Sequence, residues 1–204
     1  VNVVRGALWV NDLAQLPPQA QRVGSYALGE VDDGVRTAHL VAVAGLPPGE
    51  VEARLAGGCR VFAAWHWPSG QLSAWTWVST GEQWVTVTQL TYRFADDECY
   101  GWNADVLPEH RGHALFTAVL RFAGRRMNEH GCRFMWAGAL DSKLDSQRSL
   151  AAAGFRPILH HDVYLDPPPT RLRLRCVEYA DPRMADRAHS IIELPAQVTV
   201  FAAS

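Results

Sequence analysis

A proline, two histidines, an arginine and a glycine are crowded into Pro108-Glu-His-Arg-Gly-His113, directly after a strand-like run and directly before an amphipathic one. A strand–turn–helix of this kind leaves the first N–H groups of the helix without intrahelical partners. The helix dipole adds positive potential at the same place, so the loop suits an anion. A second segment, Asp145-Ser-Gln-Arg-Ser-Leu-Ala-Ala-Ala-Gly154-Phe155, reads as a short helix closed by glycine.

Aromatic residues form the other distinctive group. Trp65 and Trp67 alternate on one strand-like run, and Trp75 and Trp77 alternate on the next, so each pair shares a strand face. The four are either large core residues or the aromatic wall of an acceptor pocket. His66 points away from Trp65 and Trp67. His160 and His161 are adjacent on a strand-like run and face opposite ways, so no shared metal is expected. Arg171, Arg173 and Arg175 share one strand face, suited to solvent or to an acidic partner.

The elements that must position these groups follow from pattern. Residues 3–10 read as a first strand. Residues 37–45 fit a strand or a short buried helix, which periodicity does not separate. Residues 51–57 read as a short helix between Pro/Gly and Gly-Gly. Strands are expected over 61–67, 72–78, 84–94 and 99–107, with short turns between them, which implies an antiparallel meander. Residues 114–130 form an amphipathic helix with Phe116, Val119, Leu120, Ala123 and Met127 on one face and Gly131 as its stop. Residues 132–138 then form a buried strand, so this strand–helix–strand crossover makes its two strands parallel. Ser142 and Asp145 are spaced to start the helix 144–153. Residues 155–165 and 171–179 form a hairpin around Pro167-Pro-Pro-Thr170. The expectation is a single mixed α/β (α+β) domain: a mixed central sheet with an antiparallel meander, one βαβ crossover and a C-terminal hairpin. It covers 1–180. Residues 181–204 form an extension that packs on this domain or on a neighbouring subunit, as in a homodimer.

Val106-Leu-Pro-Glu-His-Arg-Gly-His-Ala-Leu-Phe116 resembles the acyl-CoA pyrophosphate loop of the GNAT acyltransferase superfamily. There a strand ending in Val-x-Pro leads into an (Arg/Gln)-x-x-Gly-x-(Gly/Ala) loop at a helix start. The later helix with Ser146 and Gly154-Phe155 is similar to the family's Asn-x-x-Ser…Gly-Phe segment, and the resemblance spans roughly residues 59–180. It implies an N-acyltransferase fold, with acetyl-CoA or another acyl-CoA as co-substrate, no metal, and a small-molecule or peptide amine as acceptor. Arg111, Gly112, His113, Ala114, Leu115 and Phe116 would cradle the pyrophosphate. Asp105 and Val106 would offer backbone groups to the pantetheine arm, and Ser146 would lie near the cofactor's far end. The family's glycine is Ala114 here, its asparagine is Lys143, and its acid tyrosine falls at Leu150, so no general acid is carried over. The position of the family's glutamate is Tyr100. Glu98, acting through water, and Tyr100 are therefore the candidates for proton removal from the amine. A longer acyl-CoA, a carrier-protein thioester or an aminoacyl-tRNA are alternative donors, and a non-catalytic acyl-CoA-binding module is a further alternative.

Composition agrees with an ordinary globular domain: 204 residues, 48% hydrophobic and 20% charged, with eight tryptophans. A net charge of -2 gives no global attraction to nucleic acid or anionic lipid, so neither is an expected partner. Four scattered cysteines argue against a zinc site or disulfide framework and for reduced thiols in or near the core. No signal-peptide pattern and no membrane-length apolar run stand out, so cytoplasmic residence is expected.

Overall fold

The computed structural model describes residues 2–18, 21–165, 169–177, 181–196 and 198–202. The chain begins with β1 (Asn2–Asp12), the short β2 (Arg22–Val23) and β3 (Tyr26–Glu30), then α1 (Gly34–Val43) and α2 (Glu50–Ala56). β4 (Arg60–His66) and β5 (Gln71–Ser79) make a hairpin, followed by β6 (Glu82–Val85), β7 (Leu90–Arg93) and β8 (Glu98–Val106). The crossover consists of α3 (Leu115–Glu129) and β9 (Phe134–Leu140). Next come α4 (Leu144–Ala153), β10 (Arg156–Leu165) and β11 (Pro169–Cys176), then α5 (Pro182–Ile191), β12 (Ile192–Glu193) and β13 (Thr199–Ala202).

The main sheet runs β13-β11-β10-β1-β9-β8-β5-β4-β3-β2. β8 and β9 pair in parallel, as the crossover requires, and so do β11 and β13; the other pairs are antiparallel. The mixed sheet with its crossover and C-terminal hairpin is the expected architecture; the hairpin's turn at 166–168 lies outside the described residues. Among the described residues no helix is long and apolar enough to cross a membrane.

α3 and α4 cover one face of the sheet. Leu115, Val119, Leu120, Ala123 and Met127 pack there on Phe62, Ala64, Val78, Cys99 and Ala137. Gly124 lets α3 sit close: a Cβ there would fall 2.9 Å from the side chains of both Leu13 and Leu16. α3 ends with the Cys132 N–H on the Met127 carbonyl (3.0 Å) and the Gly131 N–H on that of Asn128 (3.0 Å), with Gly131 at φ +93. That is a Schellman stop. The opposite face carries two further clusters. One joins α5 and β7 to Tyr100 and Trp136; the other joins α1 and α2 to Trp75 and Trp77.

Other expectations are refined or corrected. Residues 84–94 are not one strand. The chain turns after Val85, with Gln89 at φ +54, and folds back as β7, so β6 and β7 form a separate small sheet with β12. β5 therefore pairs directly with β8, and the meander is interrupted. For residues 37–45 the helical alternative holds as far as Val43 of α1, which starts earlier, at an Asp33 N-cap whose carboxylate accepts from the Arg36 N–H at 2.8 Å. Ser142 does not cap α4; Lys143 occupies that position, without a side-chain cap. Of the cysteines, Cys99 and Cys132 are buried and Cys59 is half-buried, but Cys176 is exposed.

Candidate functional site

The loop between β8 and α3 has a backbone built for anions. Gly112 (φ +82) and Ala114 (φ +54) are both left-handed, and they flank His113. Such reversals aim successive N–H groups into one concavity. α3 has neither a side-chain cap nor an acidic residue in its first turn. Its first intrahelical bond runs from the Ala118 N–H to the Ala114 carbonyl (3.1 Å), so the N–H groups of Leu115, Phe116 and Thr117 precede the ladder. They open on a cleft of about 840 Å³ walled by Ala104, Asp105 and Val106 of β8, the loop, and Lys143, Ser146 and Ser149 at the start of α4. α4 is also uncapped, so two helix starts border the same cleft.

Beside the cleft the sheet comes apart. β8 and β9 pair through Glu98↔Phe134, Cys99↔Met135, Tyr100↔Trp136 and Gly101↔Ala137, and no further. Beyond that rung β8 stays with β5 while Gly138, Ala139 and Leu140 stay with β1. A bulge promotes the divergence. Trp77 pairs with Trp102 and Trp75 with Asp105, so Asn103 and Ala104 together oppose the single residue Thr76. Asn103 takes φ +43 there.

A second cavity, about 400 Å³, opens on the other face of the same split. Tyr100, Gly101, Trp102 and Asn103 of β8 line it, with Gly138 of β9, Arg54 of α2 and the β6–β7 hairpin. Arg54 lies 4.6 Å from the Trp102 ring centre and 5.1 Å from that of Trp77.

The structure brings Asp105, Val106, Arg111, Gly112, Ala114, Leu115, Phe116 and Ser146 to the larger cleft. His113 is not among the cleft's walls: its ring packs 5.5 Å from that of Tyr26, outside the cleft. Val106 is less free than expected. Its N–H donates to Asp105 Oδ1 (2.7 Å), and its carbonyl accepts from Arg111 Nε (3.2 Å).

Glu98 does not reach either cavity. It is buried at the first β8–β9 rung, about 10 Å of strand before the split by the rise per residue. Arg187 Nε donates to both of its oxygens (2.9 and 3.1 Å), Arg187 Nη2 adds a third contact, and the Ala95 N–H donates at 2.9 Å. Tyr100 does border the smaller cavity. Its ring stacks on Phe94 at 5.2 Å, and its hydroxyl lies beside Gly138, where a Cβ would be 2.8 Å away. Burial above all, then Tyr92, pushes its pKa well up, so it is a neutral hydrogen-bonding group and not a base at neutral pH.

The four tryptophans do not form one acceptor wall. Trp75 and Trp77 are core residues under α1 and α2. A bulge between Ala64 and Trp65 displaces the end of β4. Trp65 is half-buried near Arg36, and Trp67 is 66% exposed against Arg22. Among the described residues no His, Cys, Asp and Glu side chains are grouped to hold a metal ion.

Several residues at the two cavities carry no signal in the sequence. Arg54, Trp84 and Trp102 come together only through the fold. His110 is buried, with Tyr26 Oη 3.1 Å from its Nδ1 and no partner for its Nε2. It borders both the anion cleft and a further cavity of about 490 Å³ with His66 and His113.

No protein-family profile matches the sequence, and no curated protein matches it by sequence. The fold does have solved counterparts. A GNAT-family protein from Novosphingobium aromaticivorans superposes with a TM-score of 0.55 at 16% identity, covering 77% of this chain and 61% of the other. A GNAT-family acetyltransferase from Colwellia psychrerythraea gives 0.51 at 14%, covering 79% and 56%. A tandem GNAT protein from the clavulanic acid biosynthesis pathway gives 0.50 at 21%, covering 77% and 51%. The chain thus has the GNAT fold, and it spans between about half and three-fifths of the length of these structures.

Proposed function

We propose that the chain is an N-acyltransferase that takes an acyl-CoA, acetyl-CoA in the first instance, and passes the acyl group to an amine. The observation that carries this reading is the junction of an uncapped, left-handed anion loop with a split between two parallel strands. The loop and the start of α3 suit a diphosphate, and Lys143 and Arg111 add positive charge beside it, offset in part by Asp105 and Asp145 on the same walls. An acyl thioester laid along β8 would reach the split, where backbone N–H groups no longer used for pairing can polarise its carbonyl.

The amine would approach from the smaller cavity, because that cavity opens on the same split from the opposite face. Its nitrogen forms the new N–C bond, the C–S bond breaks, and the sulfur leaves as thiolate while the amine gives its proton to solvent. Direct attack suits these walls, since no cysteine lines either cavity among the described residues. Tyr100 can donate a hydrogen bond there.

Calorimetry with acetyl-CoA tests the donor, and thiol release across an amine panel tests the transfer. Saturable one-to-one binding and amine-dependent thiol release are expected. No binding of either acetyl-CoA or CoA would overturn the reading, and binding without release would leave an acyl-CoA-binding module. Acyl-CoAs of increasing chain length in the same titration identify the preferred donor.

A further inference from the structure

The smaller cavity has a chemical bias of its own. Arg54 is the one charged residue among those described that line it, and no carboxylate faces it there. Its Nε is held by Glu50 (2.7 Å), but Nη1 is buried with no hydrogen-bond partner. The indole Nε1 of Trp102 is likewise buried and unpartnered. Both orphaned groups are donors, and an unsatisfied buried donor is costly, the more so when charged. A ligand oxygen brought against Arg54 gives the guanidinium a further acceptor. One guanidinium with part of its fork already occupied matches a planar monoanion, the carboxylate. The hairpin rim adds apolar surface, with Trp84 53% exposed and Val87 44% exposed, beside the neutral polar Gln83, Thr86 and Asn103.

Position adds the spacing. Arg54 lies 4.6 Å from the ring of Trp102, and Trp102 is the first residue past the last paired rung. The anion grip and the split where an amine would attack are therefore neighbours. A cavity of about 400 Å³ holds a small molecule, not a folded surface.

We infer that the acceptor is an amine bearing a carboxylate close to its nitrogen and an apolar or aromatic body, the amino-acid class, with Arg54 gripping the carboxylate. This rests on the acyltransferase reading and narrows its acceptor. A neutral amine offers no anion to the part of the fork that Glu50 leaves open, and a polyamine meets no counter-charge in the cavity.

The test is calorimetry on the full chain with two product-like probes, N-acetyl-L-tryptophan and its neutral amide, with acetyl-CoA titrated separately. A charged, buried hydrogen bond predicts that the acid binds at least about tenfold more tightly than the amide. Arg54→Gln should bring the acid down to the level of the amide, and Arg54→Lys should keep part of the preference. Arg54 also packs on two tryptophans, so the acid-to-amide ratio on the unaltered chain serves as the readout that needs no variant. Equal binding of acid and amide, no binding of either, or a preference that survives Arg54→Gln would overturn the inference. If acetyl-CoA binds in those cases, only the acceptor class falls; if acetyl-CoA fails to bind, the acyltransferase reading itself falls.

Discussion

Glu98→Gln separates two roles for a carboxylate that opens β8, just after an acidic turn and two residues before Tyr100. Its side chain is 4% exposed and that of Arg187 is 28% exposed. Arg187 and the Ala95 N–H engage both oxygens, tying the start of β8 to α5. Breaking a buried pair by removing one charge costs about 3–5 kcal/mol. Arg187 keeps some access to water, which places this case at about 2–3 kcal/mol. For a chain of this length that is a fall in Tm of roughly 5–10 °C. Thermal unfolding followed by circular dichroism reads it. Arg187→Met should destabilise similarly, and the double variant should lose less than the sum, because the two side chains form one interaction. Acetyl-CoA affinity and single-turnover thiol release, measured well below the Tm, should stay within about twofold of the unaltered chain, as expected for a group remote from the split. A variant that melts with the unaltered chain while transfer falls about a hundredfold would refute this reasoning and make Glu98 the base.

Three further outcomes follow from the geometry. Burial, opposed by Asp141 and Asp162, lowers the His161 pKa to about 4, so the folded state resists a proton that the unfolded chain takes up near pH 6.5. Its contribution is complete above pH 6.5 and is lost as pH falls towards 4, by about 3 kcal/mol between pH 7.5 and 4; urea midpoints across that range should show it, and His161→Leu should flatten it. Ala114 sits at φ +54, so Ala114→Gly relieves about 1–2 kcal/mol of left-handed strain against the greater freedom of unfolded glycine, and a gain of roughly 0.5–1 kcal/mol in denaturant unfolding is expected with acetyl-CoA binding kept. Gly138→Ala places a Cβ 2.8 Å from the Tyr100 hydroxyl, whose ring is held by Phe94 and Tyr92, and should cost about 1–3 kcal/mol by urea unfolding, largely restored by adding Tyr100→Phe.

What could be read from the sequence was local. The β8–loop–α3–β9 run is written in consecutive residues: a proline after Leu107, an apolar stripe at helical spacing, and Gly131 at the stop. The end of α4 at Gly154 is equally local. The end of β8, the loop and the start of α3 line one cleft because they follow one another in the chain. What could not be read depends on partners far along the chain. Glu98 meets an arginine 89 residues later. Trp75 and Trp77 do share a face, but that face is roofed by α1 and α2, and α1 comes from residues that gave no clear period. The Thr/Val-rich run 84–94 suits a strand at every position, and only its turn at Gln89 divides it. Arg54 reaches its cavity through the packing of a short helix, and no spacing rule points to it.

The central claim is that the start of α3 binds the diphosphate of an acyl-CoA. Titrating acetyl-CoA into isotopically labelled protein, with backbone amide shifts followed by NMR, addresses it directly. Saturable shifts are expected, largest at the amides of Gly112, Ala114, Leu115 and Phe116 and reproduced in part by CoA alone. Binding that leaves those amides unmoved while shifting others, or no binding at all, would contradict it.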